Sequence, residues 1–163
     1  MRTARKIFIG FLFACLSGAA LAEMVEIILQ PSDLLKRGNA YIEQGEIQKA
    51  KKALSRALET KLTPGQRANA HNSLCVANIK EEEWDAAMRQ CNAAIKINRA
   101  NWRFYNNRGN VYLGLGQLDL ALKNYQRGLR IAPKSKALAT NVAILEDYAQ
   151  RHKPTNVNYE KPS

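Results

Sequence analysis

The chain has 163 residues, 46% hydrophobic and 24% charged, with 25 Lys and Arg against 14 Asp and Glu and a formal net charge of +11. A mean hydropathy of -0.38, with only five Pro and nine Gly, excludes a multi-span membrane protein, a collagen-like chain and a wholly disordered one. The length suits one compact domain with a real core and is too short for two.

Residues 1–22 differ from the rest. Arg2, Arg5 and Lys6 open the chain with no acid among them, and Ile7 to Ala22 carries no charge. The stretch closes on Ala20-Leu21-Ala22 before Glu23, the small-x-small pattern that a signal peptidase reads, so residues 1–22 are expected to be a signal peptide cleaved after Ala22. The implied destination is the bacterial periplasm. Two other readings are an uncleaved membrane anchor and a lipoprotein acylated at Cys15. The uncharged run is short and weakly apolar for a span of ~20 residues, and Phe13 is bulky for its place before an acylated Cys. Cleavage leaves Cys75 and Cys91, an even pair for an oxidising compartment.

Beyond a short segment at 23–30, read as a linker or N-terminal cap, self-similarity dominates. Small residues recur at Gly38, Cys75 and Gly109, alanines at Ala50, Ala87 and Ala121, and small residues again at Ala57, Ala94 and Gly128, each series stepping by 37 and then 34. Repeats at 31–67, 68–101 and 102–135 follow. Small residues at these spacings let two antiparallel helices cross closely, while Leu34, Tyr41, Leu54, Leu74, Tyr105, Tyr112 and Tyr125 fill the space around the crossing. Gly45 and Gly116 fall between the helices of their repeats, where a left-handed residue ends a helix. The three extra residues of the first step are expected in a loop at Leu62-Thr63-Pro64-Gly65. Lys136 to Arg151 carries Leu138, Val142, Leu145 and Ala149 at helical spacing and predicts a capping helix over 136–151, followed by a flexible tail at 152–163.

The third copy, Tyr105-x2-Arg108-Gly109-x2-Tyr112, then Ala121-x3-Tyr125, Gly128 and Pro133, closely resembles the tetratricopeptide repeat (TPR), a helix-turn-helix unit. The resemblance implies an all-α solenoid of three repeats plus a C-terminal helix. It also implies a concave groove, lined by the first helix of each repeat, that binds a peptide or partner helix. The groove positions are Leu35, Asn39, Ile42, Asn72, Val76, Ile79, Arg103, Asn106, Asn107 and Asn110. Asn suits an extended peptide because its amide both donates and accepts. Asn39, Asn72 and Arg103 partly resemble the carboxylate clamp of chaperone-binding TPR domains, although Leu35 stands where that clamp has Lys and Asn107 where it has Arg.

Few residues suggest catalysis. His71 takes the core position that Leu34 and Tyr105 hold in the other copies, and is read as a packed structural side chain; His152 has no partner nearby in sequence. Glu81, Glu82, Glu83 and Asp85 read as acids at a solvated helix end. There is no phosphate-cradling Gly-rich loop and no zinc-ligand spacing, so neither a catalytic site, a metal nor a cofactor is expected. Cys75 and Cys91 are read as facing small-residue positions, one on each helix of repeat 2. They either form a disulfide closing a loop of about 15 residues, nominally worth ~3 kcal/mol, or serve as two small core thiols.

Lys52, Arg89 and Lys123 hold one repeat position on the second helices, flanked by Lys49, Lys51, Arg56, Lys96, Arg127 and Arg130. Stacked repeats would align them as a convex basic stripe, read either as a solvated face or as a surface for anionic lipid, lipopolysaccharide or an acidic protein. Nucleic acid is not expected as a partner of an exported chain. The sequence therefore points to a non-enzymatic adaptor of the bacterial envelope that binds a protein or peptide segment in its groove, with the polyanion or membrane-surface binder as the alternative.

Overall fold

The computed structural model describes residues 30–151. The expected leader with Cys15, all but the last residue of the 23–30 segment, and the 152–163 tail with His152 lie outside the described residues. Among the described residues, Pro31 to Arg151 pack as one unit of seven α-helices: α1 (Pro31–Glu43), α2 (Ile47–Leu58), α3 (Pro64–Lys80), α4 (Trp84–Ile97), α5 (Trp102–Gly114), α6 (Leu118–Ile131) and α7 (Lys136–Arg151). Each helix packs chiefly on its chain neighbours. The first helices of successive repeats also touch, α1 with α3 and α3 with α5, more extensively than the second helices do. The stack therefore curves with the first helices inside.

Local chemistry sets the helix ends. Pro64 and Gly65, expected in a loop, form the first turn of α3. Thr63 is the N-cap: its Oγ1 accepts from Gln66 N (3.3 Å) while its own N–H donates to Gln66 Oε1 (3.0 Å). A proline at the first helical position loses no hydrogen bond, because that N–H has no intrahelical partner. The three extra residues thus lengthen α3 instead of enlarging a loop. Within each repeat the turn passes through one left-handed residue, Gly45 (φ 77°), Glu82 (φ 56°) and Gly116 (φ 70°). Repeat 2 places Glu at this position, where a Cβ is strained.

The crossings of repeats 1 and 3 pair glycine with a large side chain. A Cβ on Gly38 would lie 2.5 Å from Leu54 Cγ, and one on Gly109 would overlap the Tyr125 ring. Leu54 and Tyr125 are themselves fully buried. Repeat 2 fills the same contact with Cys75 and Cys91, both fully buried, whose sulfurs lie at disulfide distance with Cα atoms 5.3 Å apart. Cys91 thus belongs to the column of Leu54 and Tyr125 rather than to a small-residue column: two medium side chains replace a glycine and a large one. The disulfide sits in a cluster with Ala87 and Val111, against which Ile79, Trp84 and Met88 pack. Trp84 also covers Gly114, where any Cβ would meet its indole, and so joins repeats 2 and 3.

Helix α7 closes the stack by burying Leu138, Val142 and Leu145 against Ala121 and Tyr125. Ala149, expected on that buried face, is exposed; with Ile144 (60% exposed) and Tyr148 (42%) it belongs to the outer side. No helix among the described residues is long and apolar enough to cross a membrane.

Candidate peptide-binding groove

The inner face carries a ladder of side-chain amides linking the first helices. Asn141 Nδ2 donates to Asn106 Oδ1 (3.1 Å), Asn106 Nδ2 to Asn107 Oδ1 (3.4 Å), and Asn107 Nδ2 to Asn72 Oδ1 (2.8 Å). Nearer the N-terminus, Ser73 Oγ donates to Asn39 Oδ1 at 2.6 Å. The bonds from one repeat to the next span 34 or 35 residues, the repeat length itself. The two amide bonds that cross between elements, from Asn141 and from Asn107, both donate toward the N-terminal side, and the Asn106–Asn107 bond links them within α5. Asn106 and Asn107 each spend one N–H and one acceptor site there and keep a second of each.

Of the groove residues read from sequence, Asn72, Asn106 and Asn107 meet in this ladder, Asn39 extends it through Ser73, and Arg103 is exposed at the start of α5, its guanidinium 4.8 Å from the Trp102 ring. Leu35, Ile42 and Val76 are half-buried on the same helices. Two positions are turned to other work. Asn110 Oδ1 accepts from Tyr125 O–H at 2.8 Å, within repeat 3, and Ile79 packs on the Cys75–Cys91 cluster. Burial pushes the Tyr125 phenol up to about 12, which keeps it a donor at ordinary pH. Ser73 and Asn141 escaped the sequence reading. Asn141 stands one 34-residue step beyond Asn107, which was the available signal for it; Ser73 is off the 37-residue step from Asn39 and left none.

Outside the groove, repeats 1 and 2 are tied by charge. Lys51 Nζ lies 2.5 Å from Glu81 Oε2 and 2.8 Å from Glu83 Oε2, and Gln48 Nε2 donates to both Glu81 oxygens (2.8 and 2.9 Å). These acids are therefore not merely a solvated helix end. Burial opposes the charge on Lys51, but its hydrogen bonds to Glu81 and Glu83 outweigh that and hold its pKa above the ordinary value. The hydrogen bond from Lys51, helped by that from Gln48, holds Glu81 below the ordinary value.

Lys52, Arg89, Lys123 and Arg127 are exposed on the second helices. The row is not uniformly basic: Lys51 is paired, and Arg89 shares a surface pocket with Glu82, Glu83 and Asp85. His71 is half-buried and its Nδ1 lies 2.7 Å from Gln90 Oε1, which it meets as an N–H donor between α3 and α4. No group of three or more His, Cys, Asp or Glu among the described residues is placed to hold a metal ion.

The tetratricopeptide repeat family profiles match residues 35–101 and 102–135. Among curated proteins, the chain is 27% identical over 136 residues to the peptidyl-prolyl cis-trans isomerase FKBP4 of Mus musculus, covering 76% of this chain and 30% of that protein. It is 28% identical over 134 residues to heat shock protein STI1 of Saccharomyces cerevisiae, covering 82% and 21%. The chain thus spans less than a third of either relative. Among solved structures, the first TPR of Spaghetti (RPAP3), bound to the HSP90 peptide SRMEEVD, superposes with a TM-score of 0.68 at 22% identity, covering 74% of this chain and 95% of that one. The paired helices, the glycine-against-large-residue crossings and the profile matches agree: the chain belongs to the tetratricopeptide repeat family.

Proposed function

We propose that the protein is a non-enzymatic adaptor of the bacterial cell envelope that holds an extended peptide or protein segment along its inner face, on Asn39, Asn72, Asn106 and Asn107 with Arg103 at the end of the row. The observation that carries the reading is the amide ladder. Its internal hydrogen bonds fix the rotamers of Asn72, Asn106 and Asn107, so their remaining donors and acceptors are oriented before a ligand arrives, which lowers the entropy lost on binding. A peptide backbone offers a matching alternation of N–H and C=O. Structures of related fold that hold peptides in complex support the reading by analogy.

Export is part of the proposal. It is supported by the leader pattern at 1–22 and by the Cys75–Cys91 pair, whose bond suits an oxidising compartment. The intact mass of the chain expressed in a bacterium with its own leader is expected to start at Glu23, with two thiols open to alkylation only after reduction and unfolding. A mass retaining residues 1–22 with free thiols contradicts export. For the groove, Asn39→Ala with Arg103→Ala is expected to abolish retention of the partner that co-purifies with the wild-type protein; unchanged retention contradicts the assignment.

A further inference from the structure

Acidic residues are unevenly distributed. Between Asp85 and Glu146 the chain carries one, Asp119, against ten Lys and Arg. The antiparallel topology sends the C-terminal ends of α4 and α6 and the starts of α5 and α7 to one rim of the stack, while Asp119 sits at the opposite end of α6. From the end of α4 to the start of α7 that rim bears Lys96, Arg99, Arg103, Arg130, Lys134 and Lys136, all exposed, while its repeat 1 part carries the acids Asp33 and Glu59.

Helix dipoles account for part of this. Lys96 and Arg130 lie in last turns, where cations are favoured. Arg103 and Lys136 lie in the first turns of α5 and α7, which hold no acid, and there the positive helix end repels them. Arg103 lies over the Trp102 ring, 4.8 Å from its centroid, which offsets part of that repulsion; Lys136 is exposed, and its charge adds to the cations the rim presents. Apolar groups lie among the cations: Ile97 is 37% exposed, and Trp102, Ala132 and Pro133 line an almost wholly apolar cleft with Lys134 and Ser135 at its edge. An acidic polymer needs cations alone. Cations interleaved with an aromatic ring and small apolar groups match a bilayer interface, where headgroup phosphates meet the tops of the acyl chains.

We infer that this rim docks the protein on an anionic phospholipid surface, independently of the groove. Headgroup phosphates would engage Lys96, Arg99, Arg130, Lys134 and Lys136, leaving Arg103 to the groove, and the apolar cleft beside the half-buried Trp102 would face the interfacial layer.

The test is co-sedimentation of residues 23–163, which contain the whole helical unit, with phosphatidylcholine vesicles with and without phosphatidylglycerol, at low and high salt. Binding is expected only with phosphatidylglycerol and is expected to weaken with salt. Arg99→Gln, Lys134→Gln and Lys136→Gln combined should weaken it by at least about tenfold with unchanged helicity, whereas Lys52→Gln, Arg89→Gln and Lys123→Gln combined should leave it intact. Equal sedimentation with pure phosphatidylcholine, no sedimentation at low salt, or full binding by the rim variant overturns the inference. Tighter binding to polyglutamate than to the vesicles overturns it in favour of an acidic protein.

Discussion

Asn107 Nδ2 donates to Asn72 Oδ1 across 2.8 Å, joining the first helix of repeat 3 to that of repeat 2. The bond serves packing and recognition together, since it ties two repeats and orients both amides on the inner face. Asn72→Ala and Asn107→Ala are each expected to cost about 1 kcal/mol, with the double variant costing less than their sum because one shared bond is lost once. Strict additivity in urea unfolding contradicts the bond.

The crossing of repeat 3 has no room for a methyl group. Gly109→Ala would press on the buried Tyr125 ring and is expected to cost about 1–2 kcal/mol, the overpacking penalty less the gain in helix propensity. Gly65→Ala is the contrast. Nothing lies within 4 Å of a Cβ there, so a gain of a few tenths of a kcal/mol is expected. Thermal denaturation of the two variants should move in opposite directions.

Glu82 holds a left-handed conformation that Gly45 and Gly116 supply in the other repeats. Glu82→Gly relieves that strain and thins the acidic cluster, against the greater freedom of glycine in the unfolded chain. A net stabilisation of about 0.5–1 kcal/mol is expected, read as a raised midpoint in urea. A lowered midpoint means that the Glu82 side chain has a role the turn geometry does not explain.

The Lys51, Glu81 and Glu83 cluster makes stability depend on pH. Glu81 has its pKa depressed in the folded state below the ordinary 4.5, so its contribution is full above that value and is lost as pH falls through the lowered one. Lys51 is raised above 10.5, so its contribution is full below that value and fades as pH rises through the higher one. Glu81→Gln should therefore flatten the acid limb of the stability profile and leave the neutral-pH fold intact. An unchanged acid limb contradicts the pairing.

The repeats were legible because helix crossings demand small residues at fixed spacing, and three columns carried the 37 and 34 steps together. The turn residue of repeat 2 was legible too: Glu82 stands at those same steps from Gly45 and Gly116, although its residue type hides the role. Bonds between repeats were less visible. Asn141 reaches Asn106 and Asn107 reaches Asn72 from one column to its neighbour, so aligning like positions does not pair them. Lys51 meets Glu81 and Glu83 across a helix and a turn that no single periodicity relates. The loop at Leu62 to Gly65 was misplaced because Pro and Gly punctuate helix starts as well as loops, and the Thr63–Gln66 box decides between them.

The central claim is that the partner lies along the inner face. A photo-crosslinking residue placed at Val76 or Arg103 inside the groove, and at Lys52 or Lys123 outside it, tests this in the native host. The account predicts adducts of one defined mass from the inner positions, lost when Asn72→Ala and Asn107→Ala are added, and none from Lys52 or Lys123. Adducts only from Lys52 and Lys123 would contradict it.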